Sequence, residues 1–479
     1  MNRNLLNKDT IIQSFPHIVE SSIHRTQGVF YAIDELEDRE VLLIFDPTSP
    51  LGIPKQNGDI SYRECNLSHE TAVFLRQTFS FTKPIPVLGK PRSFGLGDRL
   101  GLAGPGHLSI LKEYDAYPVL AQQSMRELTL TNRTYEDVLD AATHAVFRMG
   151  YHDGFGADGD HLKTIKDIQH VLDIGYTMIT LDCSDYIHSY ENKTDVMIPK
   201  SIRSMYLNRH FSIGENTIEF TEKTLHHAYV VYHDAIGYVI RVYKTCILPN
   251  ENTINFELSI DETQTPTTVE DHFFIAHELR YNNISLDSLA PRFLGEFQKG
   301  IDYIGDIDAF QKELKIHAKI AKYFGYKISI HSGSDKFSIF SIIGEQTNGL
   351  FHVKTAGTNW LIAMQLVARV NPKLYRKIHT FAIEIFSKAT TLYHVTTDLS
   401  RIPDISKLSD SELERLFVHP DARQLIHITY GYILTYQCKG DYVFKDQLYR
   451  LWYDHHQEYA DMLHNHIGNH LRLLYERIQ

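Results

Sequence analysis

Cysteine is scarce in this chain: four in 479 residues, at Cys65, Cys183, Cys246 and Cys438, with no Cys-X-X-Cys pair. Such spacing excludes a disulfide framework and a zinc–thiolate site, and it suits a reducing compartment. No apolar run approaches the roughly 20 residues that a membrane span requires. The opening MNRNLLNKDTIIQSF carries amide and acidic residues where a signal peptide needs an apolar core, so secretion is not expected. Positive charge is in deficit, with 48 Lys+Arg against 59 Asp+Glu and a net charge of −11. With no concentrated basic stripe, a general nucleic-acid binder is disfavoured. Neither a GxGxxG fingerprint nor a Walker-type loop follows any strand-like run, which argues against a doubly wound nucleotide-binding fold. Internal repeats and low-complexity tracts are lacking too. A cytoplasmic protein with neither membrane nor nucleic-acid partners is the expectation.

What is there is the composition of a folded globular protein, 43% hydrophobic and 22% charged. The length fits one large barrel with additions, or two to three domains. Histidine is plentiful at 27 residues, but many fall in helix-like stretches such as HHAYVVYHD (226–234) and HNHIGNH (464–470). Their number is therefore weak support for a metal; only placement counts.

Residues 1–90 alternate apolar and polar in short runs, as in VFYAID (29–34) and EVLLIFDP (40–47), and read as a small strand-containing N-terminal region. From 91 onward, strand-like and helix-like segments alternate. Strands are predicted at 92–98, 118–124, 154–160, 177–185, 252–261, 283–293, 327–333 and 350–357. Helices are predicted between them, among them 133–151 and 306–325, the second ending at a glycine stop signal. Eight strands alternating with helices predict an α/β fold, a (β/α)8 TIM-type barrel over 91–390. The stretch 186–251 is too long for one crossover and implies a helical insertion. After about 390 the strand signal stops, and a capping-box pattern opens a helical C-terminal extension over 391–479.

The unusual polar residues collect at the C-terminal ends of these strands, where a barrel builds its active site. GFGADGDHLKT (154–164) is the richest: Asp158, Asp160, His161 and Lys163 lie within six residues of one another. His161 and His331 are the best metal ligands, each just past an apolar strand, and Glu296 is the best carboxylate ligand. His352 is the alternative third ligand. Histidine and carboxylate donors suit a divalent Zn, Ni, Co or Mn ion. Asp160 and Glu257 form the natural acid/base pair, Glu257 sitting inside an apolar strand where a carboxylate is costly unless paired or functional. Arg292 and Lys354 are positioned to grip an anionic substrate.

Several longer strings carry a resemblance: SFGLGDRLGLAGPGHL (93–108), AQQSMRELTLTNRTYEDV (121–138), GFGADGDHLKT, SLAPRFLGEFQKGIDYIGD (288–306), SIHSGSDKFSI (329–339), HVKTAGTNWL (352–361) and DARQLIHITYG (421–431). Together they resemble the tagaturonate/fructuronate epimerase family of hexuronate catabolism over residues 90 to 440. Two departures stand out. Gly104 occupies the second place of AGPGH where the family pattern reads ATPGH, and Cys183 and Tyr186 stand where it carries Pro and His. These bear on substrate preference more than on reaction type, since relatives also act on the neutral ketohexoses fructose and tagatose.

The resemblance implies a metal-dependent barrel enzyme acting on a small sugar acid, with assembly into identical copies left open. It implies inversion at the carbinol carbon that separates the two keto-uronates. That carbon is β to the ketone, so enolisation cannot labilise its hydrogen. Transient oxidation would need a tightly held nicotinamide, for which no fingerprint follows a strand-like run; retro-aldol cleavage, rotation and re-addition remain. Asp160 would take the hydroxyl proton and Glu257 would be the opposing donor. Arg292 or Lys354 would hold the substrate carboxylate, and Ser124 and Thr180 would meet hydroxyls. A metal-dependent sugar isomerase or aldolase, or a non-catalytic sugar-binding protein, are the competing classes.

Overall fold

The computed structural model describes residues 6–192, 196–263 and 265–478. Eight parallel strands close into a single barrel: β1 (Arg92–Gly97), β2 (Tyr117–Ser124), β3 (Gly156–Leu162), β4 (Met178–Asp182), β5 (Asn255–Ile260), β6 (Ser288–Pro291), β7 (Lys327–Ile330) and β8 (Phe351–Ala356). Strands adjacent in sequence pair in the sheet, and β8 closes on β1 from Phe351↔Arg92 to Ala356↔Gly97. Each strand overlaps its predicted run, and the (β/α)8 TIM-type architecture is the one observed.

Alternation along the strands divides the barrel into two environments. Phe94, Leu96, Ile179, Leu181, Phe256, Leu258, Leu289, Ile328, Ile330 and Val353 are buried in one apolar cluster with the surrounding helices. The intervening residues are polar and bond to one another across the interior, as Ser93 does to His352 at 2.9 Å and Ser288 to Glu257 at 2.6 Å. The hydrophobic layer therefore holds the barrel from outside and leaves its lumen for charge.

Helix ends follow their sequence signals. Tyr135–Met149 starts at a Thr134/Asp137 capping box and stops at Gly150, whose φ of 53° is left-handed. Ile307–Phe324 is capped by Asp306 and ends at Gly325. Between β4 and β5, where a helical insertion is expected, the chain forms helices Lys200–Tyr206 and Glu222–Val242 and also a hairpin. Its strands, His210–Ile213 and Asn216–Glu219, turn at Gly214, which supplies the required positive φ of 58°.

Residues before the barrel form a five-stranded antiparallel sheet. Those after it include helices Pro372–Ala389, Pro420–Ile428, Lys445–Asp454 and His456–Tyr475, with a two-residue hairpin at Gln437–Cys438 and Asp441–Tyr442. Among the described residues, no helix is long and apolar enough to cross a membrane.

Candidate active site

A cavity of about 510 Å³ opens at the C-terminal ends of the barrel strands. Its lining includes Ser124, Asp160, His161, Asp261, Arg292, Glu296, Lys299, His331 and Lys354, drawn from several strands and the loops that follow them. Two adjacent residues of β3, Asp160 and His161, both face it, which regular alternation forbids. A bulge resolves the conflict: the β3–β4 register jumps between Gly159 and Leu162, and His161 takes a left-handed φ of 56°. A non-glycine residue held there costs roughly 1–2 kcal/mol. The cost places an acid and an imidazole side by side.

Lys354 is the hub of the floor. Its ammonium donates to Asp158 at 2.7 Å, to Thr180 at 2.8 Å, to Glu257 at 3.3 Å, and to Asp160. Burial opposes the charge of every member, and the cluster overcomes it unequally. Asp158 remains pushed up to about 6, burial outweighing the adjacent Lys354. Asp160 and Glu257 are held well below the usual carboxylate range, Lys354 overriding burial with help from His161 and His331 respectively. Lys354 itself is raised above the ordinary lysine value, its carboxylates outweighing burial.

Each site histidine has a carboxylate behind it. His161 Nδ1 lies 2.8 Å from Asp160 Oδ1, and His331 Nε2 lies 2.7 Å from Glu257 Oε1. The opposite edges converge on Asp261: its Oδ1 is 3.1 Å from His331 Nδ1 and 3.9 Å from His161 Nε2. The two rings stand 4.9 Å apart. His161, Asp261 and His331 thus each offer one ligand atom within 4.8 Å of the others. An imidazole whose far nitrogen is fixed by a carboxylate is the usual arrangement behind a metal ligand. The donor set, two nitrogens and one oxygen, fits a borderline divalent ion.

Some predicted residues are gathered here and others are not. Asp160, His161, His331, Ser124, Arg292, Glu296 and Lys354 all line the cavity. Glu257 and Thr180 do not: both are fully buried beneath the floor, Thr180 donating to Asp158 at 2.9 Å and Glu257 accepting from Ser288, Lys354 and Thr180. Glu257 therefore meets His331 from beneath the cavity instead of lining it, and the Thr180 hydroxyl is engaged there by Asp158. Lys354 is saturated by carboxylates, which leaves it no free charge for an anion. Glu296 stands on the loop after β6 with its carboxylate 3.8 Å from His394, outside the histidine pair's cluster. His352 is buried with its Nδ1 against Ser93, and burial lowers it to about 3. Asp261, and not Glu296 or His352, is the residue that stands with His161 and His331 in this cluster. It was missed although it ends a predicted strand, because the costlier Glu257 drew attention to the interior of that strand.

Ser124 caps helix Met125–Thr131, accepting from Glu127 N at 3.4 Å. Arg292 donates to the Thr263 carbonyl. The departures from the family pattern fall elsewhere: Gly104, Cys183 and Tyr186 are not among the lining residues. A Cβ on Gly104 would lie 2.3 Å from the Ala145 Cβ, so that glycine answers a helix–helix contact.

A parallel barrel whose strand tips gather imidazoles and carboxylates around a polar cavity defines an enzyme of the (β/α)8 class acting on a small polar molecule. The UxaE, tagaturonate epimerase, family model matches residues 19–474. A tagaturonate/fructuronate epimerase of Thermotoga maritima is 39% identical over 472 residues, covering 95% of this chain and 96% of that protein. A glycerol-complexed crystal structure of the fructuronate-tagaturonate epimerase UxaE from Cohnella laeviribosi is 44% identical with a TM-score of 0.93, covering 97% of this chain and 99% of that one. The native crystal structure of the same enzyme gives 0.91, at 44% identity and 98% and 99% coverage. The chain belongs to the tagaturonate epimerase family, a family of sugar epimerases.

Proposed function

We propose that this chain interconverts D-tagaturonate and D-fructuronate, inverting the carbinol carbon β to the ketone by metal-dependent retro-aldol cleavage and re-addition. The observation that carries the proposal is the cluster of His161, Asp261 and His331 at the mouth of a barrel from this family, with Asp160 and Glu257 behind the two rings. These three residues would hold a divalent ion such as Zn, Ni, Mn or Co. When bound, the ion supplies Lewis acidity to the substrate ketone.

The chain's own residues do the rest. Asp160 is ionised at neutral pH, the form a base needs, and both of its bonds from Lys354 and His161 end on Oδ1. Its Oδ2 takes the proton of the hydroxyl on the inverting carbon. The bond between the α and β carbons then breaks, its electron pair staying with the ketone fragment as an enediolate. The aldehyde fragment turns about its remaining carbon–carbon bond, the opposite face is attacked, and the proton returns to the new alkoxide. Glu257 holds His331 in the tautomer that bears its proton on Nε2. Lys354 balances the carboxylates of the floor and keeps Asp160 charged. Ser124 meets a sugar hydroxyl at the rim, and Arg292 adds positive potential there.

The test is turnover of fructuronate followed by NMR with the protein metal-stripped, then reloaded with Ni, Zn, Mn or Co. Tagaturonate appearing only after reloading is the expected result. No product under any condition refutes the reading and moves the assay to fructose and tagatose. Substrate deuterated at the inverting carbon keeps its label in this mechanism, because that hydrogen rides on the aldehyde; exchange with solvent would rule out the cleavage route.

A further inference from the structure

The cations of the cavity are not equivalent. Lys163 is paired with Asp185 at 2.7 Å and Asp182 at 3.6 Å. Arg126 has Glu262 at 3.8 Å, and Lys354 is enclosed by three carboxylates. Lys299 differs from these, and shares with Arg292, which donates to a backbone carbonyl, the lack of a carboxylate partner among the described residues. Its Nζ donates to Ser332 Oγ at 3.0 Å, and no carboxylate among the described residues lies within ion-pairing distance of it. Ser332 directly follows His331, so this ammonium is held beside the histidine cluster. The side chain is half-buried, and a half-buried ammonium without a counter-ion is an expensive thing to keep unless something anionic visits it.

The backbone that carries Lys299 is fixed from two sides. The buried Lys336 donates to Gln298 O at 2.9 Å and to Ile301 O at 2.7 Å. From helix Pro420–Ile428, Gln424 donates to Lys299 O at 3.2 Å and Arg423 to Gly300 O at 2.6 Å. Gly300 makes the turn with a φ of 77°, and a Cβ there would come within 3.2 Å of the His427 ring. A loop clamped this tightly presents its cation preorganised, with little ordering left for a ligand to oppose.

We propose that Lys299 receives the carboxylate of the sugar acid and is the residue that separates keto-uronates from neutral ketohexoses. This deepens the epimerase reading above and rests on it. The chemistry gives the anchor a second task. Cleavage between the α and β carbons divides the six-carbon acid into a dihydroxyacetone-level enediolate and a three-carbon aldehyde acid, and the carboxylate leaves with the aldehyde. The hydroxyl proton resides on Asp160 meanwhile, and re-addition restores every atom and charge without an oxidant. A cation on the carboxylate keeps the aldehyde acid in the cavity while its carbonyl turns.

The experiment compares the metal-loaded wild type with Lys299→Met, Lys299→Arg and Arg292→Met, using fructuronate as substrate and glycerate and glycerol as competitive inhibitors. Loss of a charged hydrogen bond predicts a KM for fructuronate raised roughly ten- to hundredfold in Lys299→Met. Inhibition by glycerate should weaken by a similar factor, inhibition by glycerol should stay within about twofold, and Lys299→Arg should recover most of the loss. Equal weakening of glycerate and glycerol would mean that Lys299 only shapes the loop, and would overturn the proposal. So would an unchanged fructuronate KM, with Arg292→Met showing the selective loss instead. A wild type that turns over no keto-uronate would refute the epimerase reading before any variant is compared, and the inference with it.

Discussion

Replacing Lys354 with methionine removes one charge and almost no volume, and the surroundings make the result calculable. Asp158, Asp160 and Glu257 all bond to that ammonium, and Asp158 and Glu257 are fully buried. Removing one partner of a buried ion pair costs about 3–5 kcal/mol, because the remaining charge stays desolvated and unpaired. Asp158 already stands near 6 with Lys354 in place. Without Lys354 it rises past neutrality, and the folded variant holds a proton that the unfolded chain releases. The sign follows: a carboxyl raised in the folded state stabilises at low pH, and that stability is lost as pH climbs through the folded value. The deficit of Lys354→Met should therefore widen between pH 6 and pH 8, at up to about 1.4 kcal/mol per pH unit while one extra proton is held. Urea unfolding of both proteins at pH 6, 7 and 8, with proton release on unfolding measured in weakly buffered solution, checks this. A deficit under about 1 kcal/mol that ignores pH would refute the account of Lys354 as the counter-charge of the floor.

Glu257→Gln keeps the shape behind His331 but not the charge; metal affinity should fall about 10- to 100-fold, with activity returning at saturating metal, as titration of the stripped enzyme would register. Gly104→Thr drives its Cβ to 2.3 Å from Ala145, so stability should drop about 1–3 kcal/mol with kcat/KM unchanged, and Ala145→Gly should relieve it. His272 and His317 meet at 2.7 Å in the outer core, and burial lowers both, His317 to about 4 and His272 well below its ordinary value. Buried neutral histidines stabilise above their unfolded pKa and lose that contribution as pH falls. Thermal stability should thus decline from about pH 6.5 toward 4, and His317→Phe should flatten that slope.

The eight strands were legible because most are short apolar runs broken by turn residues, and the barrel followed from their alternation with helices. The strand-tip rule sends Asp160, His161 and His331 to the barrel mouth, and there they line one cavity. It does not register depth along a strand. Glu257 and Asp261 are four residues apart on the β5 segment, enough to separate a position under the floor from one on the wall. The bulge at His161 depends on a left-handed backbone that no periodicity reports. Lys354 read as an anion grip because its three carboxylates come from β3 and β5, nearly 200 and 100 residues away in sequence. Lys299 went unnoticed because it lies on an irregular loop, and what marks it is a hydroxyl partner with no carboxylate in ion-pairing distance among the described residues, a property of the folded chain.

The floor and the β6 loop differ in how they can change over evolutionary time. On the floor, Lys354, Asp158, Asp160, Glu257 and both histidines balance one another, so a single substitution strands a charge and a tolerated change needs several at once. On the loop after β6, Arg292 and Lys299 answer to backbone carbonyls and a serine hydroxyl, and either can be exchanged alone without unbalancing its neighbours. Descendants of such a scaffold can drift in the sugars they accept one mutation at a time, while the bond-breaking apparatus stays frozen beneath them.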